Sequence, residues 1–411
     1  MDTFTIAERE LALEQAEQRI LADLEALGLS VETRTLGQRI VAVQAAVSAT
    51  DPPRIARGAG KGYPQPARIG ALYETLEHYL SEHFTGPGID YLNPQYFSQK
   101  PLFADDSVLS LITAQLDAVT ACRTFTDAIT HASFYYPMAL CIPGYSRQPL
   151  PQDTTNYRAL QRYASNSGTA IGATDNEAVL HATNECIERD AVSLFLLDQF
   201  YYENHAPLRL VARPADHEAL GRLWSDAEAE IGSGIVLVDI SSEFLARTFL
   251  AFSTTPGPLP KVFGSGCSLN ARHGAWRALT ELVQLHHTAL EPELNHYLSN
   301  AQRHLMNFPR LLRCLRFDPY PLLQLCEQQT VELPEAAIEQ PLAEQIDLLA
   351  KDLLRHGRSL GISRVHRTAL GTTLVNVVIP GLERFFVVSS GNVVVAQARG
   401  RRLENKYRGA Q

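Results

Sequence analysis

Residues 163–197 read YASNSGTAIGATDNEAVLHATNECIERDAVSLFLL. A serine- and glycine-bearing loop runs into a helix of small and apolar residues, and that helix carries acids at 177, 185 and 188. Side chains three and four apart share a helix face, so Glu177, His181, Glu185 and Glu188 form one stripe with Arg189 at its rim. Like charges at this spacing destabilise an isolated helix and call for solvent or a cation. Ala182, Cys186 and Ile187 leave little polar surface for a long solvated face.

Two other segments repeat the plan. RGAGKGYPQPARIGALYETLEHYL (57–80) places Glu74, Glu77 and His78 roughly together, and VFGSGCSLNARHGAWRALTELVQLHH (262–287) carries Glu281, with Gln284 three residues on. Their spacing along the chain is too irregular for a solenoid, so three loop–helix modules meeting at one centre are expected. Converging acids suit Mg²⁺, which takes oxygen ligands and shares them with phosphates. Glycine loops ahead of helices offer backbone N–H groups to phosphate. Lys61, between Gly60 and Gly62, adds positive charge, and Arg189 and Arg277 are suited to bidentate phosphate contact. RGAGKGYP is not GxxxxGK[ST], so a P-loop is excluded. A di-iron bundle pairs such acids with ExxH, and neither Glu74 nor Glu185 has a histidine three residues on.

The rest of the chain sets limits. Its 411 residues, 45% hydrophobic and 20% charged, exclude a disordered chain, a collagen and a disulfide scaffold. The balance of 36 basic and 45 acidic residues, net −9, without a long basic run, argues against a nucleic-acid partner. Six cysteines without a CxxC leave no zinc-ribbon, iron–sulfur or thioredoxin-like signal, and Cys186 and Cys326 read as core fillers. The acidic start MDTFTIAERELALEQ is not a signal peptide, and no apolar run approaches the ~18 residues of a membrane span. A cytoplasmic protein with no membrane partner is expected.

Thr5 and Glu8 read as a capping box for a first helix through Leu13, Ala16, Ile20, Leu24 and Leu27, stopped by Gly28. LSVETRT and QRIVAVQAAV read as strands separated by Gly37, and further β-like runs fall at 208–212, 234–240, 244–253, 372–379 and 384–390. GNVVVAQ (391–397) is a candidate to pair with the last of these. Regions 286–315 and 335–356 read as helical, 316–340 as a surface connection, and the basic end RGRRLENKYRGAQ as fraying. Strands interspersed with long helices argue for an α/β or layered α+β fold.

On these residues the chain resembles the YcaO-domain family. The likeness is carried by GKG followed by GALYETLEHY, by SNSGTAIGATDNEAVLHATNECIERDA, by GSGCSLNARHGAWRALTELVQ, and by PGLE at 380–383. It implies a YcaO-type fold with a non-Walker ATP site. It also implies that ATP and Mg²⁺ are used to activate a backbone amide oxygen of a peptide. Glu74, Glu77, Glu177, Glu185 and Glu188 resemble the family's metal- and nucleotide-site acids, and Arg189 and Arg277 its phosphate-binding arginines. Lys61 falls in the associated loop, Ser165, Asn166 and Gly168 resemble the loop before the second helix, and Glu281 joins the nucleotide site. Gly70 stands where the family usually has serine, and His78 where it has arginine.

The implied reaction is cyclodehydration of Cys, Ser or Thr in a precursor peptide to an azoline. The alternatives are thioamidation with a TfuA-like partner and amidine formation. Many azoline-forming relatives end in a PxPxP-like tail, whereas this sequence ends in KYRGAQ. With no recognition domain legible, a separate E1-like, leader-binding partner is expected, together with a flavin dehydrogenase for azoles and a homodimeric core. Residues 1–50 are assigned to the fold as a helix and strands, 51–400 to the catalytic domain, and 401–411 to a polar tail.

Overall fold

A computed structural model of the chain describes residues 8–50, 53–81, 88–255, 257, 259–334 and 340–404. Three sheets carry the architecture. The first is a three-stranded antiparallel meander of β1 (Ser30–Leu36), β2 (Val41–Thr50) and β3 (Pro53–Gly62). The second contains β4 (Ile89–Leu92), β5 (Thr120–Asp127), β6 (Ser133–Pro137), β7 (Thr169–Gly172), β13 (Gly361–Arg367) and β14 (Thr373–Val378). Its strand order is β4-β5-β13-β14-β7, with β6 paired to β5. The third is built from β8 (Leu208–Val211), β9 (Ile235–Asp239), β10 (Arg247–Ser253), β11 (Gly264–Ser268) and β12 (Gln328–Val331), ordered β11-β10-β9-β8-β12.

Six helices matter below: α1 (Leu13–Ala26), α2 (Pro64–Ser81), α3 (Asp175–Leu196), α4 (Ala271–Ala289), α5 (Leu342–Arg355) and α6 (Ala398–Leu403). Helices α1 and α2 bury Ile20, Leu24, Leu72 and Leu76 against Val41, Val43 and Val47 of the first sheet. Each such fully buried leucine or isoleucine contributes about 1.5–3 kcal/mol. Helix α3 packs Val179 and Ile187 against Val375 and Val377 of β14 and Leu349 and Leu353 of α5. Helix α4 lays Leu279, Leu282 and Val283 on the third sheet.

The glycine segments of the first and third modules are strands rather than loops. The reason is close packing. A Cβ added at Gly60 would lie 1.8 Å from the Ala67 carbonyl oxygen, and one at Gly266 would lie 2.3 Å from that of Gly274. Only bare backbone lets α2 and α4 rest directly on β3 and β11. In the second module a loop does precede the strand: Gly168 holds φ +82°, and a Cβ there would meet the Val377 carbonyl at 2.1 Å.

Other expectations shift as well. Helix α1 starts after Ala12, not after a Thr5 cap; Thr5 lies outside the described residues, and Glu8 is buried elsewhere. Gly28 does end this helix, at φ +66°, with the Leu29 N–H returned to Leu24. Residues Phe385–Ser390 form a 3₁₀ helix, and 391–397 form no strand, so the expected pairing of these segments is absent. Their apolar runs are continuous because Phe385, Val387, Val388 and Val394 are buried from several sides. The 316–340 connection contributes β12, which pairs parallel to β8 at the sheet edge. Arg399, in the segment read as fraying, is buried in α6.

Candidate functional site

The three glycine-bearing strands β3, β7 and β11 are each the edge strand of their own sheet. Edge strands keep a row of N–H and C=O groups outside the ladder. The helix following each strand sends an acid to the next module. Glu77 of α2 accepts the Ile171 N–H of β7 at 3.1 Å. Glu188 of α3 accepts the Ser265 hydroxyl of β11 at 2.7 Å. Glu281 of α4 pairs with Lys61 of β3. The contacts run in a ring around one centre.

Around that ring the charges sense one another. Burial pushes the Glu77 carboxyl well above its ordinary range, and Glu74 and Glu185 push it further. Burial likewise raises Glu74, against His78 and Lys61, and raises Glu185, against Arg189. Burial opposes ionisation of Glu281 too, but Lys61, Arg189 and Arg277 hold it below the usual range. Arg189 lies between Glu185 at 3.5 Å and Glu188 at 3.9 Å, with its guanidinium 5.5 Å from the centre of the Phe386 ring. Arg277 donates to His181 Nδ1 at 2.9 Å. Burial, and then Arg277, keep that imidazole well below its ordinary pKa and therefore neutral.

Lys61, Glu74, Glu77, Glu185, Glu188, Arg189, Arg277 and Glu281 are thus brought together. Glu177 stands apart at the first turn of α3, where it accepts the N–H groups of Glu10 (2.7 Å), Leu11 and Ala173 (both 3.3 Å). The Ser165 hydroxyl accepts the Ser167 N–H, and Asn166 accepts the Thr169 N–H through its backbone carbonyl. The Gly168 N–H reaches Glu185 Oε2 at 3.3 Å.

Residues that sequence reading did not assign to the site also contribute. Glu8, at φ +63°, accepts from Asn184 Nδ2 at 3.1 Å and from the Ser268 hydroxyl. His273 approaches Glu8 at 3.6 Å, but burial pushes its pKa down to about 4, so the contact is no ion pair near neutrality. Ser265 and Ser268 sit in GSGCS with their side chains buried, a polar pattern unusual for a core strand and the one available clue.

The donor set fits a nucleotide–Mg²⁺ complex. Glu188 Oε2 is buried without a hydrogen-bond partner, as is Arg277 Nε. An unmatched carboxylate oxygen and an unmatched guanidinium N–H suit a cation and a phosphate respectively. Among the described residues no three His, Cys, Asp or Glu side chains group closely enough to hold a metal ion by themselves. Mg²⁺ in nucleotide sites takes one or two carboxylates and completes its shell with phosphate oxygens and water.

A layered α/β protein with a carboxylate- and guanidinium-lined centre, and no P-loop, is the class these features define. The chain belongs to the YcaO family: residues 59–383 match the family model described as YcaO cyclodehydratase, ATP- and Mg²⁺-binding. A curated relative, an uncharacterized protein in the tfuA 3′ region of Rhizobium leguminosarum bv. trifolii, is 27% identical over 264 residues. The match covers 60% of this chain and spans 58% of that relative's length.

Among solved structures, YcaO from Methanopyrus kandleri bound with AMPPCP and Mg²⁺ aligns with a TM-score of 0.66 at 17% identity, over 95% of this chain and 97% of that one. A heterocyclase in complex with substrate and cofactor aligns at 0.64 and 16%, over 92% of this chain and 54% of that one. The E. coli microcin synthetase McbBCD complex aligns at 0.56 and 11%, over 87% and 88%. At these identities the likeness is one of fold. Among the described residues no helix is long and apolar enough to cross a membrane.

Proposed function

We propose that this protein uses ATP and Mg²⁺ to activate the oxygen of a peptide-backbone amide, so that a nucleophile can replace it. The observation that carries the reading is the YcaO match over residues 59–383, laid on a ring of acids and bases with one unmatched carboxylate oxygen. Bound ATP supplies a phosphoryl group that turns a poor leaving oxygen into a good one.

The chain's own residues then have separable tasks. Of the converging acids Glu74, Glu77, Glu185 and Glu188, one or two would hold the cation, Glu188 through its unmatched Oε2, and Glu177 stays at the first turn of α3 on its backbone donors. Arg189 and Arg277 take phosphate oxygens, which guanidinium forks bind bidentately. Lys61 and Glu281 fix the rim, and the Ser165–Gly168 loop bounds the site beside Glu185. Catalysis of this kind is chiefly orientation and charge neutralisation and needs no covalent enzyme nucleophile.

The family description favours cyclodehydration, in which a Cys, Ser or Thr of the precursor peptide attacks the preceding amide to give a thiazoline or oxazoline. Thioamidation with a TfuA-like partner is the second reading, supported by the relative from a tfuA region. A separate leader-binding, E1-like protein and a flavin dehydrogenase accompany the first reading. A homodimeric core and a cytoplasmic location belong to both. Intact-mass spectrometry of the precursor after incubation with enzyme, partner and ATP decides between them. Cyclodehydration lowers the mass by about 18 Da per site, and exchange of oxygen for sulfur raises it by about 16 Da. An unchanged mass with ATP consumed contradicts both.

A further inference from the structure

Beside the ring of acids lies a cavity of about 290 Å³, at the small end of ligand sites. His78, Arg123, Cys141, Asn166, Thr169 and Asn376 line it. It borders the acid centre on two sides. His78 follows Glu77 on α2, and Asn166 and Thr169 flank the loop whose Gly168 N–H binds Glu185.

Two of the polar groups in this cavity are almost fully buried. Arg123 of β5 is 3% exposed and Asn376 of β14 is 2% exposed. Asn376 Nδ2 donates to the Thr169 hydroxyl at 2.9 Å, while its Oδ1 is buried without a hydrogen-bond partner. Turning the amide over only exchanges which atom is left unmatched, because Thr169 Oγ1 can donate or accept. A buried amide atom without a partner costs about 1–3 kcal/mol, so its retention beside a cavity points to a ligand. Ile142, Pro143, Val365 and Leu374 supply an apolar remainder of the wall. Burial pushes the Cys141 thiol up to about 11, which makes it a wall rather than a nucleophile.

With Nδ2 on Thr169 and the acceptor Oδ1 turned to the cavity, a bare anion would use Arg123 and leave Asn376 unmatched. A bare cation would face the guanidinium. One peptide unit supplies an N–H to the unmatched Asn376 Oδ1 and turns its carbonyl oxygen toward the guanidinium of Arg123. We infer that this cavity seats a backbone amide of the substrate peptide, with Asn376 and Arg123 as its polar contacts and the apolar wall around the adjoining side chain. This rests on the proposed reading of the acid centre and adds to it the place where the peptide is held.

The test uses the full chain and two blocked dipeptides, acetyl-Gly-Cys-amide and its depsipeptide, in which an ester oxygen replaces the Gly–Cys N–H. Calorimetric titrations are run with AMPPCP and Mg²⁺ present. Wild-type protein should bind the amide about tenfold more tightly than the ester, the equivalent of one buried hydrogen bond. Asn376→Leu should abolish that preference while AMPPCP affinity stays within about twofold, since the side chain lies outside the acid ring. Ser81→Trp, a bulky change at the partly exposed cavity rim, should weaken both dipeptides without touching the buried strands. The inference is overturned if the wild-type protein binds neither dipeptide, or if folded Asn376→Leu and Ser81→Trp proteins bind both as wild type does. Loss of AMPPCP binding by the wild-type chain would instead strike the nucleotide reading, because dipeptide binding is read separately.

Discussion

Both carboxylate oxygens of Asp190 accept hydrogen bonds from Arg399, Nε to Oδ1 and Nη2 to Oδ2, each at 2.8 Å. Asp190 follows Arg189 on α3, and Arg399 lies in α6 near the end of the described chain. Asp190 also accepts the Glu383 N–H at 2.7 Å, and Arg399 reaches Glu243 at 3.0 Å or less. The helix that carries Glu185, Glu188 and Arg189 is thereby anchored to the C-terminal segment by a nearly solvent-free ion pair.

Arg399→Ala should therefore cost stability. Asp190 has no exposed side-chain surface, and burial raises its pKa even with Arg399 beside it. Removing one partner of a buried pair leaves an uncompensated charge and costs about 3–5 kcal/mol. Denaturant unfolding monitors this directly. A loss under about 1 kcal/mol would mean that water reaches Asp190 and the anchor is weak.

Glu383 predicts a pH dependence. It is 1% exposed and accepts the backbone N–H groups of Gln397 and Gly400, yet burial pushes its pKa from 4.5 up to about 7. The folded state then holds a proton that the unfolded chain releases at a lower pH. The stabilisation is complete below about pH 4.5 and fades as pH rises through about 7, amounting to about 3 kcal/mol. Glu383→Gln should lower stability, because its amide nitrogen faces a backbone donor, and should flatten that slope. A slope that survives the substitution would assign the effect to other groups, Glu77 first among them.

Glu188→Gln should separate binding from folding. It removes the charge behind the unmatched Oε2 while keeping an acceptor for the Ser265 hydroxyl. Calorimetry with AMPPCP and Mg²⁺ should show affinity reduced at least about tenfold. The melting temperature without nucleotide should hold or rise, because Glu188 no longer repels the buried Glu185 carboxylate, which remains paired with Arg189. Undiminished affinity in a folded variant would remove Glu188 from the site.

How far the site could be read in advance differs element by element. Glu74, Glu77, Glu185, Glu188 and Glu281 were legible because their helical spacing is local information. The glycines were ambiguous: the same residue serves a phosphate loop and a strand that admits a helix at contact distance, and only the paired element distinguishes them. The short apolar runs at 384–397 were equally open, since burial on all sides erases periodicity. Glu8 reads as a helix cap rather than as part of this centre, because its partners Asn184 and Ser268 are far away in sequence and contact of that kind leaves no local mark. Asn376 was hidden for the same reason, within the largely apolar strand TLVNVV.

The central claim is that a peptide amide oxygen is activated by phosphoryl transfer, and isotope tracing tests it most directly. A precursor peptide carrying ¹⁸O in the backbone amide at its modified site is incubated with the enzyme, its partner, ATP and Mg²⁺, and the released phosphate is analysed by mass spectrometry. Cyclodehydration and thioamidation alike predict that the label leaves the peptide and appears in inorganic phosphate, one atom for each modified site. Phosphate free of label, with modified peptide formed, would contradict the account.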